Sequence, residues 1–125
     1  MKSTTATKTI LICEDEEALR ELVRVSLGDG YRYAEASDGV ESIELALELR
    51  PDLVVLDLML PRKSGIEVLA DLRRDRRLRD TPVVVITAWT HAQQAALAAG
   101  ADRFVAKPFD PDELKSVVRD VLRGT

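Results

Sequence analysis

Five polar residues in this 125-residue chain stand where a short apolar run breaks off. Thr9–Cys13 runs into Glu14 and Asp15, Leu53–Leu56 into Asp57, Val83–Ile86 into Thr87, and Arg103–Ala106 into Lys107. Runs of this length, rich in valine, isoleucine and leucine and bounded by polar residues, read as buried strands. If the strand ends converge, three carboxylates share one edge. Like charges at close range repel strongly unless a cation intervenes. Lys107 supplies one positive charge, which leaves a negative excess. A hard divalent cation with oxygen ligands balances it. Mg2+ suits, because it takes one or two carboxylates together with waters and phosphate oxygens. No cluster of histidine and cysteine points to zinc. Asp57 is then the natural nucleophile, since a carboxylate can attack a phosphoryl group and form an aspartyl-phosphate. Phosphoryl transfer needs its equatorial oxygens neutralised. The metal, the Lys107 ammonium, the Thr87 hydroxyl and backbone N–H groups can do that.

The elements that must position these groups alternate along the chain. Glu16–Leu27 places Leu19, Leu22, Val23 and Leu27 on one helical face and stops at Gly28 and Gly30. Tyr31–Ala36 reads as a second strand. Val40, Ile43, Ala46 and Leu47 mark a second helix closed by Pro51. Ile66–Leu72 predicts a third helix with Ile66, Leu69 and Ala70 inward, and Ala92–Ala99 a fourth, capped by Gly100. The last helix has the clearest start: Asp110 to cap it, Pro111 at its first position, and Glu113 completing a capping-box-like arrangement. Leu114, Val117, Val118, Val121 and Leu122 then recur at helical spacing. Five strand–helix units with continuous aliphatic strands imply an α/β fold. Its five-stranded parallel sheet would be covered on both faces as a doubly wound three-layer sandwich. Ligands of such folds sit beyond the C-terminal ends of the strands.

Composition sets the outer bounds. Apolar residues make up 46% and charged residues 32%, enough for a core in one domain of this length. The net charge of −4 argues against nucleic acid as a direct partner. The single cysteine, Cys13, reads as a small core residue in a chain suited to the reducing cytoplasm. No apolar run is long enough to cross a bilayer. Residues 1–7 read as a short disordered lead-in without the apolar stretch of a signal peptide.

Four blocks, ILICEDEE, VVLDLMLPRKSG, VVVITA and AGADRFVAKPF, resemble in order and spacing the signature blocks of two-component response-regulator receiver domains, single-domain chemotaxis regulators among them. The resemblance covers about residues 8–123 and implies a (βα)5 flavodoxin-like sandwich. It also implies that Asp57 is the phosphoacceptor, that Asp15 binds Mg2+ directly with Glu14 acting mainly through water, and that Met59 lends its backbone carbonyl. Thr87 matches the switch hydroxyl, Ala88 a phosphate-binding backbone position, Lys107 the phosphate-binding lysine and Phe104 the switch aromatic. The Lys107–Pro108 bond is expected to be cis. Such domains are phosphoacceptors rather than enzymes. They take phosphate from a sensor histidine kinase or a histidine phosphotransfer protein and change the surface made by the fourth helix, fifth strand and fifth helix. On that basis the chain is expected to be a monomer or weak homodimer that meets a protein target, not a membrane. Three features depart from the family pattern: Glu14 stands where aspartate is usual, Phe104 lacks a hydroxyl, and the stretch from Thr87 to Lys107 is about two residues shorter.

Other residues admit a bland reading and a sharper one. Trp89 either packs under the fourth helix or, with Met59, flanks the aspartyl-phosphate and hinders water. His91 reads as a solvated side chain. Arginines 73, 74, 76, 77 and 79 read either as a solvated helix end favoured by the dipole or as a docking patch for an acidic partner or nucleic acid. Arg62 and Lys63 could steer a phosphorylated donor. Among competing functions, a haloacid-dehalogenase-type phosphohydrolase would need a DxDxT signature, but Leu58 and Met59 follow Asp57. A flavodoxin would need a glycine- and hydroxyl-rich phosphate loop where this chain has CEDEE. A degenerate receiver used only for binding would not need the intact acidic pair, Asp57, Thr87 and Lys107. No helix-turn-helix segment is visible, which leaves a stand-alone regulator or a piece of a longer protein.

Overall fold

A computed structural model describes residues 7–124; residues 1–6 of the expected lead-in lie outside them. Its elements alternate along the chain: β1 (Thr9–Cys13), α1 (Glu17–Leu27), β2 (Arg32–Ala36), α2 (Gly39–Leu49), β3 (Leu53–Leu56), α3 (Gly65–Arg74), β4 (Val83–Thr87), α4 (Gln93–Ala98), β5 (Arg103–Ala106) and α5 (Pro111–Leu122). The five strands form one parallel sheet in the order β2-β1-β3-β4-β5. The doubly wound sandwich is therefore as expected.

Alternation along the strands builds two cores. Leu11, Cys13, Val54, Leu56, Val83 and Val85 pack with α2, α3 and α4 on one face. Ile10, Ile12, Leu53, Val55, Val84 and Ile86 pack with α1 and α5 on the other. Side chains of successive strand residues point to opposite faces, so strands buried on both sides must be apolar throughout.

Several helices differ in detail from the sequence reading. On α1, Val23 and Leu27 are buried but Leu22 is exposed. On α3, Val68, Leu69 and Leu72 are buried, whereas Ile66 and Ala70 are half-buried, so the inward face is rotated from the one expected. The fourth helix begins as a 3-10 turn over Thr90–Ala92, and only Gln93–Ala98 is α-helical. The capping box stands at α3: the Ser64 hydroxyl accepts from the Glu67 N–H while the Glu67 carboxylate accepts from the Ser64 N–H. At α5, Asp110 caps by accepting from the Asp112 N–H at 2.8 Å, and Pro111 is at the first turn as expected. Glu113 does not return the bond, because Asp110 engages the second helical residue rather than the third.

Candidate functional site

In a 2-1-3-4-5 sheet the strand order reverses between β1 and β3, and the loops there leave in opposite directions and open a crevice. Glu14 and Asp15 follow β1, and Asp57 follows β3. Their carboxylate oxygens lie within 4.8 Å of one another. Glu14 and Asp57 are buried, while Asp15 is exposed. This is the oxygen donor set that suits a hard cation.

Lys107, after β5, reaches across the edge. Its ammonium donates to Glu14 Oε1 at 2.7 Å and to Asp57 Oδ2 at 2.8 Å. The other Asp57 oxygen accepts from the Met59 N–H at 3.0 Å. Burial pushes the Glu14 carboxyl up to about 7, even though Lys107 and the Glu16 N–H favour its ionised form. Burial also works against ionisation of Asp57. There the Lys107 bond and the Met59 N–H prevail and hold the carboxyl below its ordinary value. Burial likewise opposes the charge on Lys107, yet the two carboxylates raise it overall. Asp57 is thus kept ionised.

The loop after β3 is held tightly. The Gly65 N–H donates to the Leu58 carbonyl at 2.9 Å. A Cβ on Gly65 would lie 2.4 Å from the Asp57 carbonyl oxygen, so only glycine lets α3 start this close to the end of β3. Gly39, at the start of α2, donates to the Pro61 carbonyl at 3.1 Å. A Cβ there would stand 1.8 Å from the Lys63 carbonyl oxygen.

Thr87 is buried at the end of β4, where its hydroxyl accepts from the Trp89 N–H at 3.3 Å. Its carbonyl accepts from the Lys107 N–H at 2.9 Å, which ties the ends of β4 and β5 together. Ala88 follows at the exposed edge. Phe104 is paired with Val85, two residues back from the edge, and is half-buried against the core on the α2–α4 side. It is not among the groups gathered around Asp57. The Lys107–Pro108 peptide is cis. Trp89 is 49% exposed and Met59 60%, so neither is packed away. Together with Asp15, Leu58, Leu60, Pro61 and Ser64 they line an open cleft of about 550 Å³ beside the carboxylates. Arg62 and Lys63 pair with Asp38 and Asp71 respectively. His91 is exposed. One supporting contact has no signal in the sequence: Arg20, on α1, donates to the Glu14 carbonyl at 2.8 Å.

The sequence matches the response regulator receiver domain family over residues 10–119. The chain belongs to that family. It is 43% identical over 119 residues to the DNA-binding dual master transcriptional regulator RpaA of Synechocystis, covering 93% of this chain and 49% of that protein. It is 40% identical over 121 residues to the phosphate regulon transcriptional regulatory protein PhoB of Pseudomonas aeruginosa, covering 94% of this chain and 53% of that one. The chain thus spans about half the length of these curated relatives. Its fold matches the chemotaxis response regulator CheY4 of Vibrio cholerae with a TM-score of 0.86 and 28% identity, over 93% of this chain and 99% of that one. Among the described residues no helix is long and apolar enough to cross a membrane.

Proposed function

We propose that the unit spanning residues 8–123 accepts a phosphoryl group on Asp57 from a phosphohistidine donor. One observation carries the reading: the Lys107 ammonium bonds at once to Asp57 and to Glu14, beside a third carboxylate on Asp15. An Asp57 oxygen attacks phosphorus, the P–N bond breaks, and the imidazole nitrogen keeps the electron pair. Lys107 can follow the phosphoryl oxygens without leaving the edge. The Thr87 hydroxyl, at the end of the strand next to the acceptor, and the Ala88 N–H just beyond it are the remaining donors. Glu14, Asp15, Asp57 and the Met59 carbonyl would hold Mg2+, which supplies charge neutralisation for the transferring oxygens. Three carboxylates against one ammonium fit such an ion.

The donor in this reading is a sensor histidine kinase or a histidine phosphotransfer protein. The output is a change in the face made by α4, β5 and α5, with Thr87 and Phe104 as the switch pair, read by a protein target rather than by nucleic acid. The domain acts in the cytoplasm as a monomer or weak homodimer. It is a phosphoacceptor rather than an enzyme with a substrate turnover of its own. The test is incubation with acetyl phosphate and Mg2+, followed by intact-mass measurement. The parent should gain one phosphoryl group and Asp57→Asn none; a parent that gains no mass refutes the reading.

A further inference from the structure

Three of the five arginines between positions 73 and 79 are consumed by the fold. Arg73 donates to the carbonyls of Gly100, Arg79 and Thr81 and pairs with Asp102. Arg74 pairs with Asp71, and Arg77 with Asp75. The guanidiniums of Arg76 and Arg79 make no hydrogen bond or ion pair among the described residues. Arg50 joins them from the end of α2, where it holds the C-cap at φ 49 and ψ 62. That left-handed conformation favours glycine, while the negative end of the helix dipole favours a cation at the same place.

Arg50, Arg76, Arg77 and Arg79 together line one open recess of about 710 Å³. No carboxylate, aliphatic or aromatic side chain lines it. Arg50 leads into β3 and the other three into β4, so the recess lies at the N-terminal edge of the parallel sheet, opposite Asp57. In a chain of net charge −4 it is a local positive excess, although Asp75, paired with Arg77, also lies close enough to interact with Arg50.

Guanidinium forks match phosphate oxygens two at a time. Protein hot spots commonly add an apolar or aromatic anchor, and single-strand nucleic-acid sites an aromatic platform for the bases. The recess offers neither. Its lining suits a compact ligand that carries several charges and binds by them alone. We propose that this recess binds a small multivalent phosphate anion: an inorganic oligophosphate or the oligophosphate tail of a nucleotide.

The experiment titrates inorganic triphosphate, and separately ATP, into the protein in Mg2+-free buffer, by calorimetry and by amide chemical shifts. Saturable one-to-one binding is expected, with shifts at residues 50–52 and 76–81. The Arg76→Ala/Arg79→Ala variant should bind about tenfold more weakly or worse, since each lost charged hydrogen bond is a large part of such an affinity. Its thermal unfolding and its phosphoryl uptake on Asp57 should match the parent. Equal affinity for triphosphate and ATP identifies the free anion as the ligand type; markedly tighter ATP binding identifies a nucleotide. Asp57→Asn should bind as the parent does, so the recess and the phosphoacceptor stand or fall separately. Non-saturable titration, unchanged affinity in the double variant, or shifts confined to Glu14, Asp57 and Lys107 overturns the proposal. So does preferential binding of duplex DNA or anionic vesicles over triphosphate.

Discussion

Glu14 is a carboxylate held by Lys107 and yet pushed up to about 7 by burial. Its folded value lies above the ordinary 4.5, so folding favours the neutral form. That contribution is complete below about 4.5 and is lost as pH rises through about 7. Asp57 runs the other way: its lowered value stabilises the fold near neutrality, and the gain is lost in acid. Metal binding requires Glu14 to give up its proton. Mg2+ should therefore raise the melting temperature more at about pH 8 than at about pH 5, in thermal melts with and without the ion. Equal increments would contradict a cation site that includes Glu14. Trp89 and Met59 line the same open cleft, and any shielding of the aspartyl-phosphate from water by the indole would be lost on truncation. Trp89→Ala should shorten the lifetime of the aspartyl-phosphate several-fold, followed as mass loss after the donor is removed. An unchanged rate removes that role. The carboxylates and Lys107 were legible because parallel strands deliver their ends to one edge. The Arg20 bond to the Glu14 carbonyl was not, because it depends on how α1 is rotated.

Element boundaries were legible wherever apolar runs met glycine, proline or a capping side chain. Rotation of each helix was less so, since a half-turn of error exchanges Ala70 for Val68 while keeping the same periodicity. The capping box shows the limit. Both Ser64–Glu67 and Asp110–Glu113 carry the spacing, but only the first has both bonds. The sequence reading also passed over Gly39, since a glycine between two polar segments looks like any loop. Its role is set by a distant neighbour: the β3–α3 loop rests on it, with Lys63 O 1.8 Å from where a Cβ would be. The Arg62–Asp38 pair at 3.1 Å holds the same junction. Gly39→Ala must move backbone rather than a flexible side chain. It should cost about 1–3 kcal/mol, read as a lower urea midpoint with an unchanged slope. Arg62→Ala, an exposed pair, should cost under about 1 kcal/mol. A Gly39→Ala protein as stable as the parent would show that the loop is free to shift.

At the scale of the molecule, the layering followed from the sequence because β3 is aliphatic at every position and β4 at all but its last, Thr87, a pattern that a sheet covered on both faces requires. Strand order was constrained by crossover handedness, not by any residue, and so became definite only in the structure. The two cores share one sheet: in β1, Ile10 and Ile12 face α1 and α5 while Leu11 and Cys13 face α2 and α3. The shared strands predict that the two cores melt together. Leu114, fully buried on α5, tests this. Leu114→Ala deletes packing from the α1–α5 core alone and should cost about 2–5 kcal/mol. If the sheet couples the cores, denaturation stays a single step, with backbone ellipticity and Trp89 fluorescence falling together. Trp89 lies outside the α1–α5 core, in the cleft beside Met59, so its signal is an independent witness. Separate midpoints for the two probes would mean that the α1–α5 layer unfolds by itself and that the sheet does not bind the layers into one cooperative unit.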